Sequence, residues 1–128
     1  LAEALNYITN IGLDKIENYE KEITKYLFTK LRDIEDLEII GPTPNVDPER
    51  ASLATFYIKG LHSNDIAEIL DSKGICIRSG HHCCQPLHRL LKINSTARVS
   101  MNFTTTAKDV DIFIEKLKES IDFLKVNS

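Results

Sequence analysis

The sequence predicts an α+β domain in which helices cover a small, mostly antiparallel sheet. Apolar residues recur at helical spacing near both ends of the chain, and four short runs between them have the length of strands. The 128 residues, 42% of them hydrophobic and 27% charged, are ordinary for one globular domain. We therefore assign residues 1–128 to a single domain.

The first quarter of the chain is predicted to be helical. Residues 1–10 follow a helical pattern that Gly12 interrupts, and a second helix is expected from about Asp14 to Arg32. Its apolar positions fall at helical spacing: Ile16, Tyr19, Ile23, Leu27, Phe28 and Leu31.

Strands and a loop follow. Residues 37–40 predict a short strand, and residues 41–50, with three prolines and no periodicity, predict a loop. Residues 51–59 carry apolar groups on both faces, which predicts an interior strand.

A helix and a strand are predicted next, before the segment that holds most of the reactive side chains. Ser63 is expected to cap a helix over residues 64–72, which Gly74 closes. Residues 75–78 then predict a strand.

The C-terminal part is predicted to hold a short helix, a strand and a long helix. Residues 85–92 form the short helix, with Pro86 in its first turn, where its missing N–H costs nothing. Residues 97–103 alternate between apolar and polar, as a strand does. Residues 106–109 resemble a capping box. The buried face of the helix that follows is predicted to be Val110, Phe113, Ile114, Leu117, Ile121 and Leu124.

Composition and charge argue against several classes of partner. The formal net charge is -3, so no strong basic field exists to bind a phosphate backbone, and no nucleic acid is expected. No apolar stretch approaches the roughly 20 residues that span a bilayer, so no membrane is expected. The chain shows no signal-peptide pattern and starts at Leu1 within a helical pattern. We expect it to be a piece of a longer protein.

The cysteines do not form a disulfide framework. Cys76, Cys83 and Cys84 are odd in number, and two of them are adjacent. Free thiols in a reducing compartment are therefore expected. Cys76 is expected to be a small core residue.

Residues 78–88, RSGHHCCQPLH, concentrate the reactive side chains. Cys83 lies in a predicted loop, where imidazoles and a guanidinium favour its thiolate, the nucleophilic form. Gly80 allows a positive φ, and His81 and His82 can move protons near neutral pH.

Two other interpretations of this run stay open. One is an unreactive cysteine in a loop beside incidental histidines. The other is a zinc site, although neighbouring residues rarely turn toward one metal ion. Its possible ligands would be Cys76, His81, His82, Cys83, Cys84 and His88.

Two arginines could act beside the cluster. Arg98 stands on the polar face of an alternating strand, where its guanidinium can grip a carboxylate with two hydrogen bonds. Arg78 ends the strand before the loop. For both residues the alternative is a solvated arginine.

The run from Arg78 to Cys83, followed by Gln85-Pro86-Leu87, resembles the catalytic-cysteine segment of the SUF-type, or group II, cysteine desulfurases. These are pyridoxal-phosphate enzymes of the class V aminotransferase family. The resemblance extends to residues 1–13, to Gly41-Pro42, to residues 97–100 and to residues 106–124. It implies the C-terminal small domain of a fold-type I pyridoxal-phosphate-dependent transferase.

The resemblance implies roles for individual residues. Cys83 would take sulfur from L-cysteine as a persulfide, leaving alanine, and Arg98 would bind the substrate carboxylate. Arg78 and His82 would line the same pocket. Pyridoxal phosphate would serve as the electron sink in the full-length enzyme. The sulfur would pass to an acceptor protein of the SUF system for iron–sulfur cluster assembly.

Three features depart from the family pattern. Cys84 stands where a small residue, often alanine, is usual, and it could add a second sulfur carrier or a redox liability. Residues 103–105, Phe-Thr-Thr, replace a common Tyr-Asn-Thr stretch. The Schiff-base lysine lies in a Ser-x-His-Lys segment, which this chain does not contain. The chain by itself is therefore expected neither to bind the cofactor covalently nor to turn over cysteine.

The resemblance leaves other functions open. A selenocysteine lyase would share this scaffold, and a non-catalytic thiol redox or zinc-binding module would use the cysteines and histidines alone. Residues 85–89 look like plastid-type members, which implies an organelle, with a bacterial cytoplasm as the alternative. The full-length family is homodimeric.

Overall fold

The structure, a computed structural model, describes residues 1–127 and confirms the predicted α+β class. Residue 128, the last of the predicted domain, lies outside the described residues. Four strands and five helices form within the described part. In chain order they are α1 (Ala2–Ile11), α2 (Leu13–Arg32), β1 (Leu37–Ile40), β2 (Leu53–Ile58), α3 (Ser63–Ser72), β3 (Arg78–Gly80), α4 (Gln85–Leu91), β4 (Thr96–Ser100) and α5 (Ala107–Val126).

The four strands form one antiparallel sheet in the order β1-β2-β4-β3. Strand β2 pairs with β1 on one side and with β4 on the other, which confirms its predicted interior position. Its side chains alternate, with Ala54, Phe56 and Ile58 buried and the residues between them half-buried. The sheet therefore has one fully covered face and one partly open face.

Helices α2, α3 and α5 pack against the core on the covered face. Leu27 and Leu31 of α2, Leu70 of α3 and Leu117 of α5 are fully buried beside Phe56 of β2. The predicted apolar faces of α2 and α5 are confirmed at their centres, where side chains meet other elements. The prediction is less accurate near the start of α2 and the end of α5. Three residues predicted to be buried there are only partly buried or are exposed: Ile16, Tyr19 and Leu124.

The start of α5 is the predicted capping box. The Thr106 hydroxyl accepts a hydrogen bond from the Asp109 N–H at 3.2 Å, and the Asp109 carboxylate accepts one from the Thr106 N–H at 2.8 Å. Both bonds satisfy backbone donors that the first helical turn leaves unpaired.

The predicted start of α3 is wrong by one residue. His62, and not Ser63, is the cap: its Nδ1 accepts a hydrogen bond from the Asn64 N–H at 3.2 Å. Ser63 lies within the helix and is buried, and its hydroxyl donates to Ser95 Oγ at 2.6 Å. The Ser63 hydroxyl bonds to its buried partner Ser95 and does not cap the helix.

Strand boundaries also differ from the prediction, and β2 is shorter at both ends than the predicted residues 51–59. Residues 75–77 are not in a strand, because β3 pairs with β4 only from Arg78 to Gly80. Strand β4 ends at Ser100 rather than continuing to residue 103. Beyond it the chain turns, and the Asn102 side chain accepts a hydrogen bond from the Thr104 N–H at 2.8 Å.

The loop between β1 and β2 is held by Arg50. Its guanidinium donates to the carbonyl oxygens of Pro42 and Leu53 and lies over the Phe28 ring, 4.4 Å from the ring centroid. Burial lowers the pKa of Arg50. The loop is thereby fixed to α2, so Gly41 and Leu53 have defined places at the partly open face of the sheet.

Among residues 1–127, no helix is both long enough and apolar enough to cross a membrane.

Candidate functional site

Cys83 lies in a tight turn directly after β3. The Cys84 N–H donates to the His81 carbonyl at 2.8 Å and closes the turn, and its two central residues have positive φ, 51° at His82 and 60° at Cys83. Gly80, just before the turn, has φ 111°, as its sequence position predicts. Residues with a side chain adopt positive φ at a cost, and such strain is often found at functional sites.

All three cysteines are free and exposed. This confirms the expectation of free thiols. The expectation that Cys76 is a core residue is wrong. Cys76 points outward between the half-buried Ile75 and Ile77, and its Sγ lies 3.6 Å from Asp71 Oδ1.

His82 is held by its Nε2 atom, which lies 3.1 Å from the Thr96 carbonyl oxygen. A carbonyl only accepts, so Nε2 carries the proton and donates it. The other ring nitrogen, Nδ1, is buried without a hydrogen-bond partner. Burial lowers the pKa of His82, and the charges of Arg98 and Arg78 lower it further. The ring is therefore a neutral imidazole with an unused lone pair.

Arg98 and Arg78 are brought together by the sheet. They occupy directly opposite positions in the β3–β4 pair, and Thr55 of β2 lies opposite Arg98 on its other side. The Nε of Arg98 is buried without a hydrogen-bond partner. Within the part of the chain that the structure describes, neither arginine forms an ion pair with a carboxylate. Two facing, unpaired guanidinium groups suit an anionic ligand.

A cavity of about 320 Å³ lies at this site, on the partly open face of the sheet. Its polar lining includes Arg98, His82 and Cys84, whereas Cys83 is not part of the lining. The apolar lining comes from the sheet, from α4 and from the segment after α4, and consists of Ile40, Leu53, Leu87, Leu91 and Ile93. Its size and mixed lining suit a small molecule that carries a carboxylate.

His88 is the residue that the sequence analysis undervalued, since it named His88 only as a possible zinc ligand. The side chain is buried, and its ring joins the carbonyl of Cys84 to the hydroxyl of Thr96. The sequence holds one signal for this contact: His88 follows Cys84 by four residues, which is one helical turn and brings the two residues together in a helix.

The described residues do not fit covalently bound pyridoxal phosphate. No lysine lines the cavity that holds Arg98 and Cys84. Lys59 and Lys92 line a different cavity, beside His62 and Ser95. The lining of the Arg98 cavity suits a carboxylate and holds no amine that could bind the cofactor covalently. Within residues 1–127, no group of three or more His, Cys, Asp or Glu side chains is placed to hold a metal ion.

Comparison with known proteins agrees with the resemblance. The model of the aminotransferase class-V family matches residues 1–113. The chain belongs to the class-V aminotransferase family. A protein of Synechocystis sp. named a probable cysteine desulfurase is 45% identical over 123 residues, which cover 96% of this chain and 29% of that protein. A Staphylococcus aureus protein with the same name is 42% identical over the same shares.

A solved structure shares the fold. The apo cysteine desulfurase of Thermococcus onnurineus superposes with a TM-score of 0.81 at 36% identity, covering 89% of this chain and 28% of that one. The chain thus spans less than a third of the length of these class-V aminotransferase relatives. The predicted family membership is confirmed.

Proposed function

We propose that the chain is the C-terminal domain of a pyridoxal-phosphate-dependent cysteine desulfurase, in which Cys83 takes sulfur from L-cysteine as a persulfide. The observation that carries the proposal is an exposed thiol in a strained turn directly after β3, the strand whose Arg78 lies opposite Arg98 of β4. The names of the relatives and of the solved structure support the same activity.

Arg98 is proposed to bind the α-carboxylate of the substrate. Its Nε is buried and has no hydrogen-bond partner among residues 1–127, so a bidentate carboxylate would satisfy a group that is otherwise desolvated at a cost. Arg78, opposite it on β3 and exposed, does not line the cavity and is proposed to add positive charge from the neighbouring strand. The pair is expected to orient the amino acid with its side chain toward the turn.

His82 is proposed to receive the proton of the Cys83 thiol. It is the neighbouring residue in the same turn, and its Nδ1 is free because Nε2 is engaged by the Thr96 carbonyl. A lowered pKa keeps the ring neutral near pH 7 and hence able to accept a proton.

The sulfur transfer balances without an external oxidant. The Cys83 thiolate forms a bond to the sulfur of the substrate, while the carbon–sulfur bond of the substrate breaks. The electron pair of that bond stays on the substrate carbon, which is protonated to give alanine. Pyridoxal phosphate would be held by the remainder of the enzyme, which this chain does not include.

The persulfide is proposed to pass to an acceptor protein of the SUF system and to serve iron–sulfur cluster assembly in a homodimeric enzyme. Exposure of Cys83 supports transfer to a second protein. The continuation of the motif after Cys84 supports a plastid-type organelle as the compartment. A fluorescent fusion of the full-length protein tests the compartment, and diffuse cytoplasmic signal would contradict it.

The decisive experiment replaces Cys83 with Ala in the full-length enzyme. We expect the variant to lose persulfide, mapped by mass spectrometry after incubation with L-cysteine, and to keep the absorbance of bound cofactor. Cys76→Ala is the matched control, because Cys76 is an equally free and exposed thiol outside the site. Persulfide that persists in Cys83→Ala would refute the proposal. Parallel turnover of selenocysteine measures substrate preference, and strong preference for it would favour a selenocysteine lyase.

A further inference from the structure

We propose that His88 is a positioning residue that fixes the Cys83 turn against strand β4. The inference rests on the proposed function, because it assigns His88 a part in sulfur transfer through Cys83. His88 lines the same cavity as Arg98, and its two ring nitrogens bond to Cys84 and Thr96 rather than to the reactive thiol or to Arg98.

The His88 ring makes two hydrogen bonds from a buried position. Nδ1 lies 2.9 Å from the carbonyl oxygen of Cys84, and Nε2 lies 3.1 Å from Thr96 Oγ1. Only 5% of the residue is exposed. The Nδ1 atom carries a proton and donates, since its partner is a carbonyl. One imidazole thus joins the end of the turn to strand β4.

The other end of the turn is tied to the same strand residue. The Thr96 carbonyl accepts from His82 Nε2 at 3.1 Å. The single proton of the Thr96 hydroxyl is donated to His88 Nε2 at 3.1 Å, because Nδ1 carries the ring proton, and the Gly80 carbonyl lies farther from the same hydroxyl at 3.4 Å. Gly80, before the turn, is the direct strand partner of Thr96. Hydrogen bonds of Thr96 and His88 reach a central residue of the turn and the residue that closes it. Cys83 lies between these anchored points.

The hydrogen bonds of Thr96 and His88 to the turn, together called the bracket, explain how the strained turn persists. Residues with positive φ relax unless the surrounding structure holds them, and both His82 and Cys83 have positive φ. Because Thr96 is two residues from Arg98 on β4, the bracket also sets the position of the thiol relative to the carboxylate-binding guanidinium. A misplacement of about 1 Å between reacting groups can cost about 10²-fold in rate.

The test uses the full-length enzyme with His88→Phe, His88→Asn and Thr96→Val. For His88→Phe we expect the rate of persulfide formation on Cys83 to fall about 10²-fold, with the KM for L-cysteine within about twofold, because Arg98 is retained. His88→Asn keeps a donor near the Cys84 carbonyl and should recover part of the rate. Combining His88→Phe with Thr96→Val should cost little more than His88→Phe alone, since both break one bracket.

His62→Phe is the matched control. His62 is also an imidazole near β4, with Nε2 3.4 Å from Ser95 Oγ, but it caps α3 and makes no hydrogen bond to the turn. It should lower the melting temperature without changing the rate of persulfide formation. An unchanged rate in folded His88→Phe, or a loss that follows the melting temperature as in the control, would overturn the inference.

The two proposals fail in different ways. Persulfide formation that survives Cys83→Ala would refute the proposed function and the inference together. Normal rates in the His88 and Thr96 variants, with loss in Cys83→Ala, would refute the inference alone. If His88→Phe does not fold, Thr96→Val decides, because it removes a hydroxyl and keeps the branched shape: a rate equal to the unmodified enzyme then counts against the bracket.

Discussion

Arg78 and Arg98 are direct cross-strand partners in the antiparallel pair of β3 and β4, and no carboxylate among the described residues pairs with either. Like charges in this position destabilise a sheet by roughly 0.2–1 kcal/mol. The arrangement is therefore unfavourable in the free domain and becomes favourable when an anion lies between or beside the two groups. The proposed binding of a carboxylate would relieve this repulsion.

Replacing Arg98 with Lys tests its role in the proposed enzyme. Lysine keeps the charge but loses the planar fork that grips a carboxylate with two hydrogen bonds. We expect the KM for L-cysteine to rise by roughly tenfold or more, since a charge-assisted hydrogen bond contributes about 1.5–3 kcal/mol. Steady-state kinetics of the full-length enzyme measure it, and an unchanged KM would argue against carboxylate binding by Arg98.

Replacing Arg78 with Gln tests the repulsion itself. The variant should unfold at a higher temperature than the unmodified protein in the absence of substrate, by an amount worth up to about 1 kcal/mol. The gain should shrink as salt is added, because exposed charges are screened. Thermal unfolding at low and high ionic strength measures both effects. Equal stability of the two proteins at low salt would mean that the arginines do not repel each other in the folded state.

Much of this fold could be predicted because local patterns and global packing agree. The capping box at Thr106 and the interior position of β2 follow from short stretches of sequence. The failures occur where a tertiary partner outweighs a local preference. Ser63 is a good capping residue by type, yet its hydroxyl bonds to Ser95, 32 residues away, and His62 takes the cap instead.

Which residues belong to the candidate site could be predicted from the sequence, whereas their positions relative to one another could not. The motif pointed to Cys83, and the alternation of β4 placed Arg98 on the polar face. Sequence alone could not show that Arg78 lies opposite Arg98, because register between distant strands depends on the whole sheet. It also could not show that His88 is buried: the spacing of one helical turn from Cys84 allows one of its contacts, but only the folded sheet brings Thr96 to the other ring nitrogen.

His82 should make stability depend on pH. Its pKa is lowered in the folded protein by burial, whereas the unfolded chain takes up a proton below about pH 6.5. The unfolded state then binds more protons, so stability falls as pH drops from about 6.5 toward the lowered value. His82→Gln keeps a donor for the Thr96 carbonyl and removes the titration. Urea unfolding of both proteins between pH 7 and pH 5 should show a shallower loss in the variant, and parallel curves would contradict this origin.

Cys84 should be dispensable for sulfur loading of Cys83. Its contribution to the turn comes from the backbone, through the N–H that donates to His81 and the carbonyl that accepts from His88. Its side chain makes no capping hydrogen bond at the start of α4. Cys84→Ser therefore preserves every hydrogen bond that defines the turn.

Serine is also a preferred capping residue, so Cys84→Ser should keep or slightly raise the melting temperature. We expect persulfide on Cys83 to form within about twofold of the normal rate, since its position is set by the same backbone contacts. In the unmodified enzyme, we expect any sulfur mapped to Cys84 to come from the Cys83 persulfide, because the Cys84 thiolate can take its outer sulfur and leave the Cys83 thiolate without an oxidant. Persulfide mapping of both proteins measures this. Loss of sulfur on Cys83 in Cys84→Ser would show instead that Cys84, which lines the Arg98 cavity, receives the sulfur first.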